Sequence, residues 1–306
     1  MKKRLLFTLM LALSLSSIAQ ISFPIKSFYK NLGLSAAATT VQYRGASLSL
    51  DLLGGLLYRV HYSGKKGDLQ TAADVIAAAI GDPAIKKPFI NWMSKNSEAL
   101  GKHPKPLTVG LGQGYYLVFE KGDGLRFSVI PVEAPPGSFA SKAHIRGKSG
   151  VVIHEYSDFQ CPACKALFQR ALPEVDKRYI DSGKARFEYR HFPLFEIHKK
   201  ASAAAIASEC AARQGKFWQF HDALFNKGVD DPKALAAGLG LDMRSFEQCI
   251  GDKKTKAIVD GQRAEAEKLK LNGTPSVFVG PFLLPNPFDV DSYARYLKMA
   301  EAKETK

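Results

Sequence analysis

Two patterned stretches of the chain are separated by a proline- and glycine-containing break. In the first, Val41–Tyr43 and Leu48–Leu53 have the length of short strands. Leu56-Leu57-Tyr58-Arg59-Val60-His61-Tyr62 alternates and is rich in aromatic and β-branched residues, a clearer strand. Asp68–Ile80 is alanine-rich with helical spacing, stopped by Gly81 and Pro83. Residues 85–100 predict a second helix with Phe89, Ile90 and Met93 on one face, broken by Pro104 and Pro106. Tyr115–Phe119 and Leu125–Val132 predict a hairpin around Lys121-Gly122-Asp123-Gly124. This segment reads as a small α+β unit.

Glu133–Ser138 is linker-like and Ser141–Gly150 is basic, so a boundary is expected near residue 140. The pattern restarts at Val151. Val151–Ser157 is an apolar strand, Cys164–Tyr179 a helix and Ala185–Phe192 a strand. A helical block follows over Ala201–Gln214, Phe217–Phe225, Pro232–Gly238, Met243–Ile250 and Lys254–Leu269. Ser276–Val279 and Phe282–Leu284 are short strands, and Val290–Ala302 is a closing helix. A βαβ start with a ββα end is the thioredoxin layout, here with a helical subdomain inserted. The expected fold class is therefore α/β, a thioredoxin fold with an inserted helical subdomain, preceded by a small α+β N-terminal domain.

The 306 residues fit two domains after a leader. Met1-Lys2-Lys3-Arg4 is basic, Leu5–Leu15 is mostly apolar, and Ser17-Ile18-Ala19 forms a small-x-small site before Gln20. Residues 1–19 thus predict a cleaved signal peptide, residues 20–140 the first domain and 141–306 the second. The leader's apolar run is short for a membrane span, although an uncleaved anchor is the other reading. A periplasmic or otherwise extracytoplasmic destination follows. The net charge of +14 lacks a dense basic block with interleaved aromatics, so nucleic acid is not an expected partner.

Chemistry concentrates at Cys161-Pro162-Ala163-Cys164, directly after the strand and at the start of the helix. A helix N-terminus offers unpaired N–H groups and partial positive charge, which stabilise a thiolate at Cys161. Pro162 suits the first helical position. Cys164, one turn in, is placed to resolve mixed disulfides by attacking Cys161. Ala163 adds neither charge nor donor. Half of a zinc site and a structural disulfide are the competing readings, but Cys210 and Cys249, 39 residues apart, do not complete a zinc set. No metal or cofactor is expected. His154, His191 and His198 lack paired metal spacing, and Phe217, Trp218, His221 and Phe225 read as core packing. Four cysteines allow three pairings, which composition does not resolve.

Tyr156-Ser157-Asp158-Phe159-Gln160-Cys161-Pro162-Ala163-Cys164-Lys165, Arg190-His191-Phe192-Pro193-Leu194, Cys210–Trp218 with His221-Asp222, and Gly273-Thr274-Pro275-Ser276-Val277-Phe278-Val279-Gly280 occur in the order found in DsbA-like proteins. Over roughly residues 150–300 the chain resembles that family of thiol–disulfide oxidoreductases. The resemblance implies that Pro275 is cis and that Thr274 offers main-chain groups to an extended substrate. It implies a buried Glu155 that helps move the proton of Cys164, with Arg190 on the neighbouring strand a possible partner. It also implies a second disulfide, Cys210–Cys249. The expected partners are unfolded or cysteine-containing exported proteins and a membrane redox partner. An alternative is a dimeric isomerase or reductase of the DsbC/DsbG type, with the first domain used for homodimer assembly. A third reading is a binding protein whose Cys161–Cys164 motif is only structural.

Overall fold

The computed structural model describes residues 8–9, 21–35, 38–102, 106–112 and 114–305. Apart from Thr8–Leu9, the expected leader of residues 1–19 lies outside the described residues. The chain forms two compact units. One comprises residues up to Glu133 together with Ala294–Lys306, and the other runs from Ala134 to Tyr293.

The first unit contains β1 (Thr8–Leu9), α1 (Ile25–Asn31), β2 (Thr40–Tyr43), β3 (Ala46–Leu53), β4 (Leu56–Gly64), α2 (Leu69–Ile80), α3 (Lys86–Lys102), β5 (Leu107–Leu111), β6 (Tyr115–Phe119) and β7 (Leu125–Pro131). Its seven strands are ordered β1-β5-β6-β7-β4-β3-β2, antiparallel except for the β1–β5 pair. Alternation decides which side chains go inward: Leu48 and Leu50 of β3 and Val60 and Tyr62 of β4 are buried with Phe127 and Val129 of β7. Ala72, Ala73, Val75 and Ile76 of α2 and Phe89 and Met93 of α3 belong to the same core. Asp68 caps α2 by accepting from the Thr71 N–H at 3.1 Å, and Gly81 ends it at φ +71°. Strand β5 and helix α1 were not foreseen, because neither short segment carries a clear period.

The second unit contains β8 (His144–Arg146), β9 (Val151–Ser157), α4 (Pro162–Arg170), α5 (Leu172–Val175), β10 (Ala185–His191), α6 (Ala201–Ala212), α7 (Phe217–Lys227), α8 (Pro232–Gly238), α9 (Met243–Ile250), α10 (Lys253–Lys268), β11 (Ser276–Val279) and β12 (Phe282–Leu283). Helix α11 (Val290–Glu304) begins here, and its residues from Ala294 belong to the first unit. The sheet order is β12-β11-β9-β10-β8. Strand β9 runs parallel to β10 and antiparallel to β11, which makes it the central strand. Gly150 lets the chain enter β9 closely: at φ +87°, a Cβ there would lie 2.1 Å from the Lys184 carbonyl oxygen.

The helix expected over Cys164–Tyr179 is interrupted. Helix α4 ends at Arg170, and α5 starts anew after Ala171. Pro173 explains the break, since it has no N–H for the preceding turn and its ring crowds the carbonyl four residues back. The motif therefore sits on a helix of nine residues.

Candidate functional site

Strand β9 ends at Ser157, and three residues carry the chain to Cys161, the N-cap of α4. Asp158 holds this turn. Its Oδ1 accepts from the Gln160 N–H at 2.7 Å, and its Oδ2 accepts from the Leu194 N–H at 2.9 Å. The same Oδ2 lies 2.8 Å from His198 Nδ1. The Gln160 side chain accepts from the Lys200 N–H at 2.8 Å. The segment before the cysteines is thus tied to the loop after β10 by charge-assisted and neutral hydrogen bonds.

Cys161 and Cys164 are free thiols in this structure. Cys161 is 7 % exposed and Cys164 is 0 % exposed. The Thr274–Pro275 peptide is cis, and the Thr274 carbonyl oxygen lies 3.5 Å from Cys161 Sγ. The Cys161 thiol is held below the ordinary thiol range, first by the neighbouring Cys164 thiol and then by Thr274 and the N–H groups of Cys164 and Ala163, while burial opposes this. Burial pushes the Cys164 thiol well up, and the nearby Cys161 and Glu155 add to that. One sulfur is poised to be thiolate and the other to remain thiol.

Glu155 is 1 % exposed, and burial raises its carboxyl to about 7. It stands opposite Tyr189 in the parallel β9–β10 pair. Arg190 is not its partner. Side chains alternate across a sheet, so Arg190, one residue beyond Tyr189, lies on the other face. There Arg190 bonds Glu188 and Glu265, each at 2.8 Å. His154 Nδ1 lies 2.9 Å from Glu188, and the Tyr156 hydroxyl donates to Glu265 at 2.6 Å. The Phe139 ring stacks on His154, with centroids 3.7 Å apart.

Cys210 of α6 and Cys249 of α9 form a buried disulfide with an S–S distance of 2.07 Å. His144, His191 and Glu209 also converge, with their potential ligand atoms within 4.8 Å of one another. The Nε2 atoms of His144 and His191 lie 2.7 and 2.9 Å from the same Glu209 oxygen. Two imidazole N–H donors on one carboxylate account for this cluster as a hydrogen-bonded anchor between the sheet and α6. Linear spacing could not reveal it, since the three residues come from β8, β10 and α6.

Sequence reasoning missed Ser157 and Tyr189. Both share the Glu155 face of the sheet, and both side chains are buried. The available signal was the period of two from Glu155, which places Ser157 on the same face.

The thioredoxin family model matches residues 142–299, just over half of the 306-residue chain, and the chain belongs to that family. The matched region is a DsbA-like thioredoxin-fold domain, of the thiol–disulfide oxidoreductase class. It is similar to the probable disulfide bond formation protein D of Bacillus cereus, 34% identical over 152 residues, or 45% of this chain and 69% of that protein. It is also similar to a Na(+)/H(+) antiporter NhaA 1 of Mycolicibacterium vanbaalenii, 36% identical over 163 residues. That match covers 51% of this chain and 26% of the antiporter, so the chain spans about a quarter of that relative's length. Among solved structures, oxidised BdbD from Bacillus subtilis aligns with a TM-score of 0.48 at 22% identity, over 55% of this chain and 96% of that one.

Proposed function

We propose that the chain is an exported thiol–disulfide oxidoreductase that cycles Cys161 and Cys164 between dithiol and disulfide on cysteine-containing exported proteins. The observation that carries this reading is the placement of Cys161. It caps α4, lies 3.5 Å from the Thr274 carbonyl beside a cis proline, and has the fully buried Cys164 one turn behind it. A substrate cysteine or disulfide approaches Cys161 alone, because Cys164 is shielded. In the oxidising direction a substrate thiolate attacks Cys161 Sγ, the Cys161–Cys164 bond breaks, and Cys164 leaves as thiolate and takes up a proton. A second substrate thiolate then displaces Cys161, so the substrate is oxidised by two electrons and the enzyme is reduced.

Export is supported by the leader-like pattern of residues 1–19 and by an inter-helix disulfide suited to an oxidising compartment. Among the described residues no helix is long and apolar enough to cross a membrane. Reoxidation is assigned to a membrane redox partner. The test is reduction of insulin, and oxidative recovery of a reduced, unfolded substrate, by the mature chain. Activity above a Cys161→Ser control is expected, and activity equal to that control overturns the reading. The potential of the pair then fixes the favoured direction: a value near that of strong oxidants means oxidase work, and one near thioredoxin means reductase work.

A further inference from the structure

Strand β5 lies next to one edge of the seven-stranded sheet, where β1 pairs with it through Thr8 opposite Gly110 and Leu9 opposite Leu111. Leu107, Thr108 and Val109 have no strand on that side among the described residues. An edge strand presents unpaired N–H and C=O groups, and proteins guard such edges with charge, proline or a covering element. Strand β5 reads Leu-Thr-Val-Gly-Leu, with neither charge nor proline. Its cover comes from residues 8–9, inside the leader that export removes under the reading above.

The inner face of this edge is apolar. Val109 and Leu111 belong to the core shared with α2 and α3, and Leu107, on the same face by the period of two, is partly buried against it. A cavity of about 350 Å³ adjoins Leu107 and is lined also by Met93, Leu100, Phe119 and Leu125. Side chains directly opposite on paired strands lie about 5 Å apart, so a large apolar side chain on a strand added beside Leu107 reaches this cavity.

We propose that in the mature chain β5 takes up an extended apolar segment of an unfolded exported protein as an added parallel strand, with one of its side chains in the cavity beside Leu107. This rests on the exported-oxidoreductase reading, which supplies both the removal of the leader and the class of client. Thr8–Leu9 supplies the mode of binding, since it pairs with β5 in parallel and comes from an apolar run of the kind that an unfolded client exposes. Main-chain hydrogen bonds along β5 accept many sequences, and the cavity selects for a large apolar side chain. A second copy of this chain suits the edge less well. Two β5 strands related by a two-fold axis that keeps the helices of both sheets on one side pair antiparallel, whereas the seated segment is parallel. A client held on the first unit meets the cysteines of the second at the effective concentration that a shared chain provides.

The experiment titrates fluorescein-labelled, reduced and carboxymethylated α-lactalbumin with the mature chain and follows anisotropy. This client is permanently unfolded and its cysteines are blocked, so binding is read without thiol–disulfide exchange. Saturable binding is expected, equal in Cys161→Ser, with slowed hydrogen exchange at the amides of residues 107–111. The double variant Thr108→Lys/Gly110→Lys puts charge on the edge; Thr108 is exposed, and a side chain at Gly110 meets nothing within 4 Å. It should weaken binding by roughly tenfold or more, the sum of two unfavourable cross-strand neighbours. Ser47→Lys/Ser49→Lys, exposed on β3 of the same sheet, adds equal charge away from the edge and should leave binding unchanged. If the double edge variant does not fold, Gly110→Lys alone carries the test. Binding that is absent, or that is equal in the edge and β3 variants, overturns the proposal. So does a mature chain that sediments as a dimer with β5 already protected, which assigns the edge to a second copy. Binding of a labelled peptide of the leader sequence Leu-Leu-Phe-Thr-Leu-Met-Leu without binding of the unfolded client also overturns it, and assigns the edge to the leader. Loss of insulin reduction in the wild-type chain would instead overturn the oxidoreductase reading, and it is measured separately.

Discussion

Glu155 and Tyr189 face each other across neighbouring parallel strands, while Arg190, the next residue along, is bonded to two carboxylates on the opposite face of the sheet. The sheet thus separates an acid without a cation from a cation with two acids. The first arrangement leaves Glu155 easy to protonate. The second holds His154, Tyr156, Glu188 and Glu265 around one guanidinium.

Arg190→Ala should therefore be strongly destabilising. Removing one partner of a buried ion network leaves uncompensated charge, here on both Glu188 and Glu265, at a typical loss of about 3–5 kcal/mol. Arg190→Met with Glu188→Gln and Glu265→Gln should recover much of that loss, because no charge then remains unpaired. Urea unfolding of the three proteins checks this, and a near-neutral Arg190→Ala would show that the network contributes little.

The two active-centre thiols should differ sharply in reactivity. Cys161 is held below the ordinary thiol range and Cys164 well above it. Brief treatment of the reduced chain with iodoacetamide at mildly acidic pH should alkylate Cys161 and spare Cys164, as read by peptide mass spectrometry. Replacing Ala163 with His should lower the Cys161 value further, since a ring N–H or imidazolium would then adjoin the sulfur. It should also make the disulfide more oxidising, because a stabilised thiolate favours the reduced form. A thiolate absorbance titration that shows no downward shift in Ala163→His would contradict this account.

Much of this site was legible because its parts are local. Strand β9 opens on the apolar run Val151–Ile153, Pro162 marks the first turn of α4, and the two cysteines lie within that turn. The helices of the insertion were legible to within about two residues because their signals are local too, such as the aspartates that cap α8, α9 and α10. What escaped was set by pairing between distant segments. Arg190 looked like a partner for Glu155 until the register placed Tyr189 in that position. The depression of the Cys161 thiol was expected mainly from helix N–H groups, yet the Cys164 thiol comes first and Thr274, from a loop more than a hundred residues away, comes next. The break at Ala171 was the exception, a local signal in Pro173 that helical periodicity on both sides concealed.

The second disulfide gives a stability prediction. Cys210 and Cys249 close a loop with a sequence separation of 39 between α6 and α9. Replacing both with Ala should lower stability by about 2–4 kcal/mol, chiefly by freeing the unfolded chain. The centre of exchange lies elsewhere, so the rate at which iodoacetamide alkylates Cys161 should be unaffected. Mass analysis of an unreduced Cys161→Ser/Cys164→Ser protein should still show one disulfide after alkylation. Two free thiols in that protein would contradict the pairing.

The raised carboxyl of Glu155 links proton binding to folding. In the folded chain burial moves it from an ordinary value of 4.5 to about 7, so between these limits the folded state holds a proton that the unfolded state has lost. The stabilising contribution of the protonated acid is therefore fully present below about pH 4.5. It declines as pH rises and is gone above about pH 7, where both states are ionised. Over that window the change is on the order of 3 kcal/mol, since each tenfold difference in proton affinity between the two states corresponds to about 1.4 kcal/mol. Buried His154, His191 and His221 act in the opposite sense, because burial lowers their values and the unfolded state takes up protons first as pH falls. These histidines are common to the wild type and Glu155→Gln, so the difference between the two proteins isolates the carboxyl. Glu155→Gln, which mimics the neutral acid, should gain stability relative to wild type as pH rises from about 4.5 to about 7, and the difference should level off above that. Urea unfolding at a series of pH values measures it. A difference independent of pH would show that Glu155 titrates alike in the folded and unfolded chain, and that it is not the buried acid beneath Cys164.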